Sequence, residues 1–208
     1  IVLLASTTFS VIRFTGQAYS FLDSSPKLVV DCGAHLGHFS LLLEMCVRSK
    51  FGSADTEYLV IEPNPYLVPR LRESLKLGGI LERSTIYENL LGKGDVAVDL
   101  WIDKKNFLES SLYPRDKATP HTILPLNLDD LLAGRDVDVL KIDIEGAEYE
   151  LFQDQLEFLG RTRVVLLEMH KNTLDKRKMI LDKMEEAGLL VAMRPIKSHG
   201  QELIVFKR

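Results

Sequence analysis

The fold is decided by residues 28–40, which read LVVDCGAHLGHFS. The segment opens with an apolar, β-branched run that predicts a buried strand, and Asp31 stands at the end of that run. Gly33 and Gly37 follow, and a helical pattern begins at about Phe39. Strand, glycine turn and helix are typical of the entry to a nucleotide-binding crevice, where glycine lets the backbone approach a ligand and the helix N-terminus favours an anionic group.

The glycine spacing differs from that of a dinucleotide-binding fingerprint. The segment reads Asp-x-Gly-x-x-x-Gly rather than Gly-x-Gly-x-x-Gly, because His35 occupies the place of the middle glycine. The alternative interpretation of this segment is a tight turn that binds no ligand. The sequence of the remaining chain is needed to distinguish a ligand-binding turn from such a turn.

The composition is that of one globular domain. The chain has 208 residues, of which 46% are hydrophobic and 27% charged, as in ordinary soluble domains. Its net charge of -4 argues against a general nucleic-acid binder. Cys32 and Cys46 match no metal-binding spacing, so we expect free thiols in a reducing compartment and a cytoplasmic location.

Residues 1–26 are predicted to pack as an N-terminal segment on a domain that spans residues 27–208. Residues 1–12 are apolar, but this run is shorter than the about 20 residues that a membrane span needs. Because the chain begins with Ile1 rather than methionine, we expect that its N-terminus has been trimmed, and an anchor or targeting segment ahead of it is left open.

Strand and helix patterns alternate along the domain. Buried strands are predicted at 27–32, 58–62, 84–89, 138–143 and 164–168, and helices at 37–50, 66–77, 126–132, 148–159 and 173–187. Strands at 189–193 and 202–206 end the chain. This order predicts an α/β fold with right-handed crossovers, a mostly parallel sheet and an antiparallel C-terminal strand. Residues 96–102 are predicted to form a half-exposed antiparallel strand, and residues 103–122 a lid or acceptor-binding loop.

Carboxylates follow four of the predicted strands: Asp31, Glu62, Asp143 and Glu168. Ligands bind at the carboxyl ends of the strands in an open parallel sheet, and an acid placed there is costly unless it is paired or used. The pattern therefore predicts a site for a hydroxyl-rich or positively charged ligand. Glu62 follows the second strand, where a carboxylate can accept two hydrogen bonds from a ribose diol.

The same residues favour S-adenosylmethionine as the cofactor. No Gly-x-x-x-x-Gly-Lys-Ser/Thr motif is present to cradle a triphosphate, and a pyrophosphate needs the glycine that His35 replaces. S-adenosylmethionine has no phosphate. Its carboxylate can lie at the helix N-terminus near residues 33–37, its ribose on Glu62, and its sulfonium near carboxylates or aromatic faces.

Five segments resemble, in this order, the FkbM family of methyltransferases: VVDCGAHLGHFS at 29–40, VIEPNP at 60–65, ENLLG at 88–92, LDDLL at 128–132 and VLKIDIEGAE at 139–148. The resemblance covers about residues 27–208. It implies a class I, Rossmann-like three-layer fold and S-adenosylmethionine-dependent O-methylation. The implied acceptor is a hydroxyl group of a sugar, a lipid-linked glycan or a natural product.

Eight residues are the candidates for cofactor binding: Asp31, Gly33, His35, Gly37, Glu62, Asn64, Asn89 and Asp143. Asn64 is a candidate for the ribose or adenosine, and capping of the following helix is its alternative role. Asn89 follows the third strand, where adenine would lie. The family usually has asparagine in place of His35 and an aromatic residue in place of His38.

Four residues are the candidates for catalysis on the acceptor side: Asp143, Glu145, Glu168 and His170. Glu168 and His170 lie on one side of an extended chain, and His170 is the candidate general base. Lys141 is interpreted as a structural ion-pair partner of Asp143 or Glu168. Glu148 is interpreted as a favourable charge in the first turn of a helix.

Three alternatives stay open. Asp143, Glu168 and His170 together suggest a divalent metal site, but with one histidine and an incomplete ligand shell we expect no metal. A nicotinamide-dependent oxidoreductase and a catalytically inactive nucleotide-binding module are the rival functions. The expected partner is a small-molecule or glycan acceptor and not a nucleic acid; no membrane span is expected within this segment, and a homo-oligomer is compatible with the sequence.

Overall fold

The structure, a computed structural model, describes most of the chain. The described residues are 16, 19–53, 55–94, 96–103, 110–153, 156–170, 173–193, 195–198 and 201–208. The strands are β1 (Leu28–Cys32), β2 (Glu57–Ile61), β3 (Ser84–Tyr87), β4 (Leu90–Leu91), β5 (Val98–Asp103), β6 (Ser110–Ser111), β7 (Ala118–Ile123), β8 (Pro125–Leu126), β9 (Val137–Ile142), β10 (Thr162–His170), β11 (Leu190–Val191), β12 (Ile196–Ser198) and β13 (Gln201–Lys207). The helices are α1 (His38–Phe51), α2 (Val68–Leu77), α3 (Leu128–Leu132), α4 (Glu148–Phe152) and α5 (Leu174–Glu186), with 3₁₀ turns at Leu81–Arg83 and Glu157–Arg161.

One large sheet organises the protein. Its strands are hydrogen-bonded in the order β11-β13-β10-β9-β1-β2-β3, and β12 pairs with β13. β1 is central and runs parallel to β2 and β9, which in turn run parallel to β3 and β10. β13 lies antiparallel between β10 and β11. The predicted mostly parallel sheet with an antiparallel C-terminal strand is confirmed.

The large sheet is covered on both faces, which explains its nearly continuous apolar strands. Val29 belongs to a buried cluster that includes Leu43 of α1 and Leu71 of α2. Val30, which points to the opposite face, belongs to a second buried cluster that includes Phe152 of α4. The sheet thus lies between two layers of helices, as the three-layer prediction requires.

A second, small sheet stands apart from the large one. Its order is β6-β5-β7, and both pairings are antiparallel. The half-exposed antiparallel strand predicted at 96–102 corresponds to β5. The interpretation of residues 103–122 as one irregular loop is wrong, because β6 and β7 lie within this range; residues 104–109 lie outside the described residues. The central residues of β7 are exposed, so this strand lacks the apolar pattern that would have indicated it.

Several predicted elements differ in length from those observed: the strands predicted at 84–89 and 189–193 are shorter, and Leu126 belongs to β8 rather than to the helix predicted at 126–132. The helix predicted at 148–159 is interrupted after Phe152, and the N–H group of Phe158 donates to Asp129 Oδ1 (2.7 Å) instead of to a helical carbonyl. β10 continues beyond the predicted end at Glu168 as far as His170, because it pairs with β13 over its whole second half. β12 was not predicted.

The described part of the N-terminal segment packs on α1. Leu22 is fully buried in the cluster that contains Leu43, and Lys50 Nζ at the end of α1 donates to the Leu22 carbonyl (2.7 Å). The predictions for residues 1–15 and 17–18 fall outside the described residues. No helix in the described ranges is long and apolar enough to cross a membrane. Cys32 is buried, Cys46 is half-buried, and both are free thiols.

Gly33, which follows β1, packs against the backbone of Asp143, which follows β9. Its φ is 74°, and a Cβ added there would lie 1.7 Å from the carbonyl oxygen of Asp143. We therefore expect Gly33→Ala to lower the free energy of unfolding by at least about 3 kcal/mol in urea titrations, or to prevent folding.

Gly79→Ala is the matched control for this variant. Gly79 has a similar φ of 70°, but an added Cβ meets nothing within 4 Å. It should therefore lose only the about 1–2 kcal/mol that a left-handed backbone costs alanine. Equal losses in the two variants would show that the contact between the strand tips is not tight.

Candidate active site

A buried lysine lies between the tips of β1 and β9. The side chain of Lys141 is 2% exposed, and its Nζ lies 3.4 Å from Asp31 Oδ1 and 3.4 Å from Asp143 Oδ2. Nζ also donates to the carbonyl oxygens of Cys32 (3.2 Å) and Gly33 (2.9 Å). Burial alone would lower the pKa of Lys141, but the charges of Asp143 and Asp31 outweigh it and raise that pKa above its ordinary value. The lysine is therefore a fixed cation, and the predicted ion pair with Asp143 is present.

The turn after β1 is held by bonds within the protein. The N–H groups of Gly33 and Ala34 both donate to the Ile61 carbonyl (3.0 and 3.1 Å), and that of Gly37 donates to the Ala34 carbonyl (2.8 Å). A Cβ at Gly37 would lie 2.9 Å from Leu71 Cδ1 of α2. Both glycines are thus required by packing. These three N–H groups are engaged within the protein, and the binding of a cofactor carboxylate at this helix N-terminus stays a prediction.

Glu62 follows β2 and is held by the backbone on both sides. Its Oε2 accepts the His35 N–H (2.7 Å), and its Oε1 accepts the Asn64 N–H (2.9 Å). Burial raises the pKa of Glu62 to about 7, although these two hydrogen bonds oppose the shift. Each carboxylate oxygen keeps further lone-pair capacity. Glu62 is therefore a rigid hydrogen-bond acceptor that is easily protonated.

His35, whose N–H group donates to Glu62, has an unusual backbone conformation. Its φ is 54°, a left-handed conformation that is uncommon outside glycine. Burial lowers the pKa of the His35 imidazole to about 4, and His38 adds to the shift. The ring is therefore neutral at pH 7. Its Nδ1 is buried and has no hydrogen-bond partner among the described residues.

A cavity of about 180 Å³ opens at the carboxyl ends of β1, β2 and β9. The predicted site residues that line it are Gly33, His35, Glu62, Asn89, Asp143 and Glu145. Leu100, Ser110 and Ser111 of the small sheet line it as well. The cavity thus lies between the large sheet and the small one, at the edge where ligands bind in open parallel sheets.

Three predicted cofactor residues do not line this cavity, namely Asp31, Gly37 and Asn64. Asp31 is fully buried, and its Oδ2 accepts the Ser40 hydroxyl of α1 (2.7 Å). Asn64 is 1% exposed, and its Oδ1 accepts the Tyr66 N–H (3.0 Å) in the turn before α2. It does not cap α2 itself, whose N-cap residue is Leu67. Asn89 does line the cavity, and its amide Nδ2 donates to the Leu124 carbonyl (3.0 Å). Their roles toward a cofactor stay predictions.

A histidine and two carboxylates converge where β9 and β10 end. His170 Nε2 lies 4.0 Å from Asp143 Oδ1 and 3.6 Å from Glu145 Oε2. We call Asp143, Glu145 and His170 the carboxylate–histidine cluster. Glu145 has a left-handed backbone (φ 55°) that turns the chain here between β9 and α4. Glu168, which was predicted to join this group, is buried on β10, two residues before His170.

Glu148 is the residue whose role the sequence did not reveal. Its side chain is fully buried, and Oε1 lies 3.0 Å from His170 Nδ1 and accepts the Gly146 N–H (3.1 Å). The first-turn charge interpretation missed this contact, since 22 residues separate the two partners. The only available signal was that Glu148 follows the same strand as Asp143 and Glu145.

The local charges decide which groups hold protons. Burial alone would lower the pKa of His170, but the hydrogen bond to Glu148 and the charges of Glu148 and Asp143 raise it to about 9. Burial raises the pKa of Glu168 to about 7, and the charge of Asp143 adds to this shift. His170 is therefore protonated at pH 7 in this arrangement, which disfavours the predicted role of a resting general base.

The strand order and the cavity at the carboxyl ends of the central strands define a class I methyltransferase fold. The sequence comparison agrees: residues 31–194 match the methyltransferase FkbM domain. The chain belongs to this family, and the predicted resemblance is confirmed. No curated protein matches the sequence significantly.

Solved structures support the same fold. The FkbM methyltransferase of Methylobacillus flagellatus KT is 18% identical, with a TM-score of 0.60 over 91% of this chain and 45% of that one. The precorrin-6y C5,15-methyltransferase of Geobacter metallireducens GS-15 is 17% identical (TM-score 0.55; 93% of this chain, 85% of that one). The M. capricolum TrmK in complex with S-adenosyl-homocysteine is 8% identical (TM-score 0.52; 93% and 66%). The chain thus spans less than half of the FkbM structure.

Removal of the buried cation should weaken the whole site. Lys141→Met leaves the carboxylates of Asp31 and Asp143 without their shared counter-charge, so we expect the free energy of unfolding to fall by about 3–5 kcal/mol in urea titrations. Lys178→Met is the control, because Lys178 is exposed and forms a surface ion pair with Asp182 on α5; the urea midpoint of this variant should not change. An unchanged midpoint for Lys141→Met would contradict the role assigned to the ion pair.

Proposed function

We propose that the protein is an S-adenosylmethionine-dependent O-methyltransferase that acts on a hydroxyl group of a sugar, glycan or natural product. The observation that carries the proposal is Glu62, a rigid carboxylate at the end of β2 that lines a cavity. Each of its oxygens accepts one backbone N–H group from the described residues. A vicinal diol matches such a carboxylate, because its two hydroxyl groups donate to the two oxygens.

The residues around Glu62 fit the rest of this cofactor. His35 presents a neutral imidazole with a buried, unpartnered Nδ1, which suits a polar group rather than a phosphate. Asp143 also lines the cavity and suits the ammonium or the sulfonium group. When bound, S-adenosylmethionine supplies a methyl group that its positive sulfur has already activated.

The acceptor side is proposed to be the carboxylate–histidine cluster together with the small sheet. Asp143 and Glu145 offer oxygens that accept hydrogen bonds from an acceptor's hydroxyl groups, and Ser110 and Ser111 offer hydroxyls that can donate. These residues orient the acceptor oxygen, which provides most of the rate enhancement when the methyl group is already activated. As the oxygen–carbon bond forms, the methyl–sulfur bond of the donor would break to leave S-adenosylhomocysteine. The hydroxyl proton would pass to a carboxylate of the cluster or to water.

Two further features of the proposal follow from charge and cysteine content. A net charge of -4 disfavours a polyanionic acceptor such as a nucleic acid, whose binding needs a basic surface. Free Cys32 and Cys46 agree with a reducing compartment such as the cytoplasm.

Ligand-induced stabilisation tests the cofactor. S-adenosylhomocysteine at a hundredfold excess over its Kd should raise the free energy of unfolding by about 2.7 kcal/mol, whereas NAD and ATP should not. Glu62→Gln should reduce this shift by weakening the ribose contact. Glu88→Gln, an exposed carboxylate after the neighbouring strand β3, should retain the full shift. Stabilisation by NAD alone would favour the oxidoreductase, and no response to any nucleotide would end the proposal.

The pH dependence of binding tests the contact to Glu62 directly. The hydrogen bonds of a ribose favour the ionised carboxylate, so binding below a pKa of about 7 must first release its proton. Affinity for S-adenosylhomocysteine should therefore fall about eightfold between pH 7.5 and 6.0, as the ionised fraction of a group with that pKa falls. Calorimetry on Glu62→Gln should give weaker binding with a flat profile. Parallel profiles in the two proteins would contradict a contact through Glu62.

A further inference from the structure

We propose that the carboxylate–histidine cluster is a binding site for a divalent metal ion, with Asp143, Glu145 and His170 as ligands. One donor atom from each of the three side chains lies within 4.8 Å of the others. A metal ion bound at about 2.1 Å to each donor brings donors to about 3–4 Å from one another, so small side-chain rotations suffice. This assignment extends the proposed function, because the ion would lie on its acceptor side.

The orientation of His170 is the independent observation that indicates a ligand. The side chain is 11% exposed, and its Nε2 is buried without a hydrogen bond among the described residues, while it points at Asp143 and Glu145. Its other nitrogen, Nδ1, is fixed by Glu148 Oε1 at 3.0 Å. Metal-binding histidines are held in this manner, because a carboxylate on the second nitrogen sets the ring orientation and strengthens the ligand.

The donor set indicates which ion would bind. Two carboxylates and one imidazole, which must release its Nε2 proton as the ion binds, give a predominantly oxygen site with a net negative charge. Such a site suits Mg²⁺ or Mn²⁺ better than a thiolate-preferring metal. Three protein ligands leave positions open for water and for an oxygen of the acceptor. Asp143 and Glu145 both line the cavity, so those open positions would face it.

The sequence suggested a different set of ligands. It placed Glu168 with Asp143 and His170, and that set gave an incomplete shell. In the structure Glu145 faces His170 instead, since the left-handed backbone at Glu145 (φ 55°) turns this loop toward the end of β10. Glu148, which contacts the histidine and not the cluster's centre, acts as a positioning residue.

Mn²⁺ binding to the full chain, measured by electron paramagnetic resonance without any nucleotide, tests the site. We expect one bound Mn²⁺ per chain, with Mg²⁺ competing for it. Glu145→Gln should weaken binding at least tenfold, and Glu148→Gln should weaken it about 10–100-fold through the orientation of the histidine. Circular dichroism checks that each variant is folded, and the mostly exposed Glu145 makes the first variant structurally mild.

Glu150→Gln is the matched control, because Glu150 lines the same cavity but lies outside the cluster; its Mn²⁺ affinity should match that of the original protein. Absence of Mn²⁺ binding at millimolar concentration, or equal binding by Glu145→Gln, would overturn the site and leave a charge cluster of an imidazolium and carboxylates. S-adenosylhomocysteine binding is measured separately. If the protein binds S-adenosylhomocysteine but not Mn²⁺, only the metal site is refuted. If it binds Mn²⁺ but not S-adenosylhomocysteine, the proposed function is refuted.

Discussion

The buried ammonium group of Lys141 is the interaction on which the rest of the structure depends. It lies between Asp31 and Asp143, so the tips of the two central strands are joined by charge as well as by the parallel ladder. An uncompensated charge at this depth would cost several kcal/mol. Here the cation has two carboxylates and the carbonyls of Cys32 and Gly33 as partners. Because Gly33 and Asp143 also form walls of the cavity, its shape is fixed by the same contacts.

The architecture could be predicted because its central strands follow simple rules. A strand buried on both faces has a continuous apolar sequence, and Val29, Val60 and Val139 are fully buried in this manner. The elements that were not predicted correctly depend on contacts between segments that are distant in the sequence. β7 is mostly exposed and exists because it pairs with β5. The helix α4 ends at Phe152, and the turn at 157–158 donates its N–H groups to the carboxylate of Asp129 on α3.

The candidate site was predictable in its position and not in its internal contacts. Carboxylates after parallel strands meet at one sheet edge, and Glu62, Asp143 and Glu145 do line a common cavity. The sequence did not reveal that the N–H groups of the first turn are used within the protein. Nor did it reveal that His170 is surrounded by carboxylates, since such an environment arises only when distant segments come together.

The separation of the small sheet from the large one has a consequence for how such a protein can diversify. Among the described strands, β5 bonds only to β6 and β7, yet Leu100, Ser110 and Ser111 form one wall of the cavity. Substitutions on that wall therefore leave the hydrogen-bonded ladder of the large sheet intact. The shape of the cleft can thus be altered through the small sheet while the architecture of the large sheet is retained.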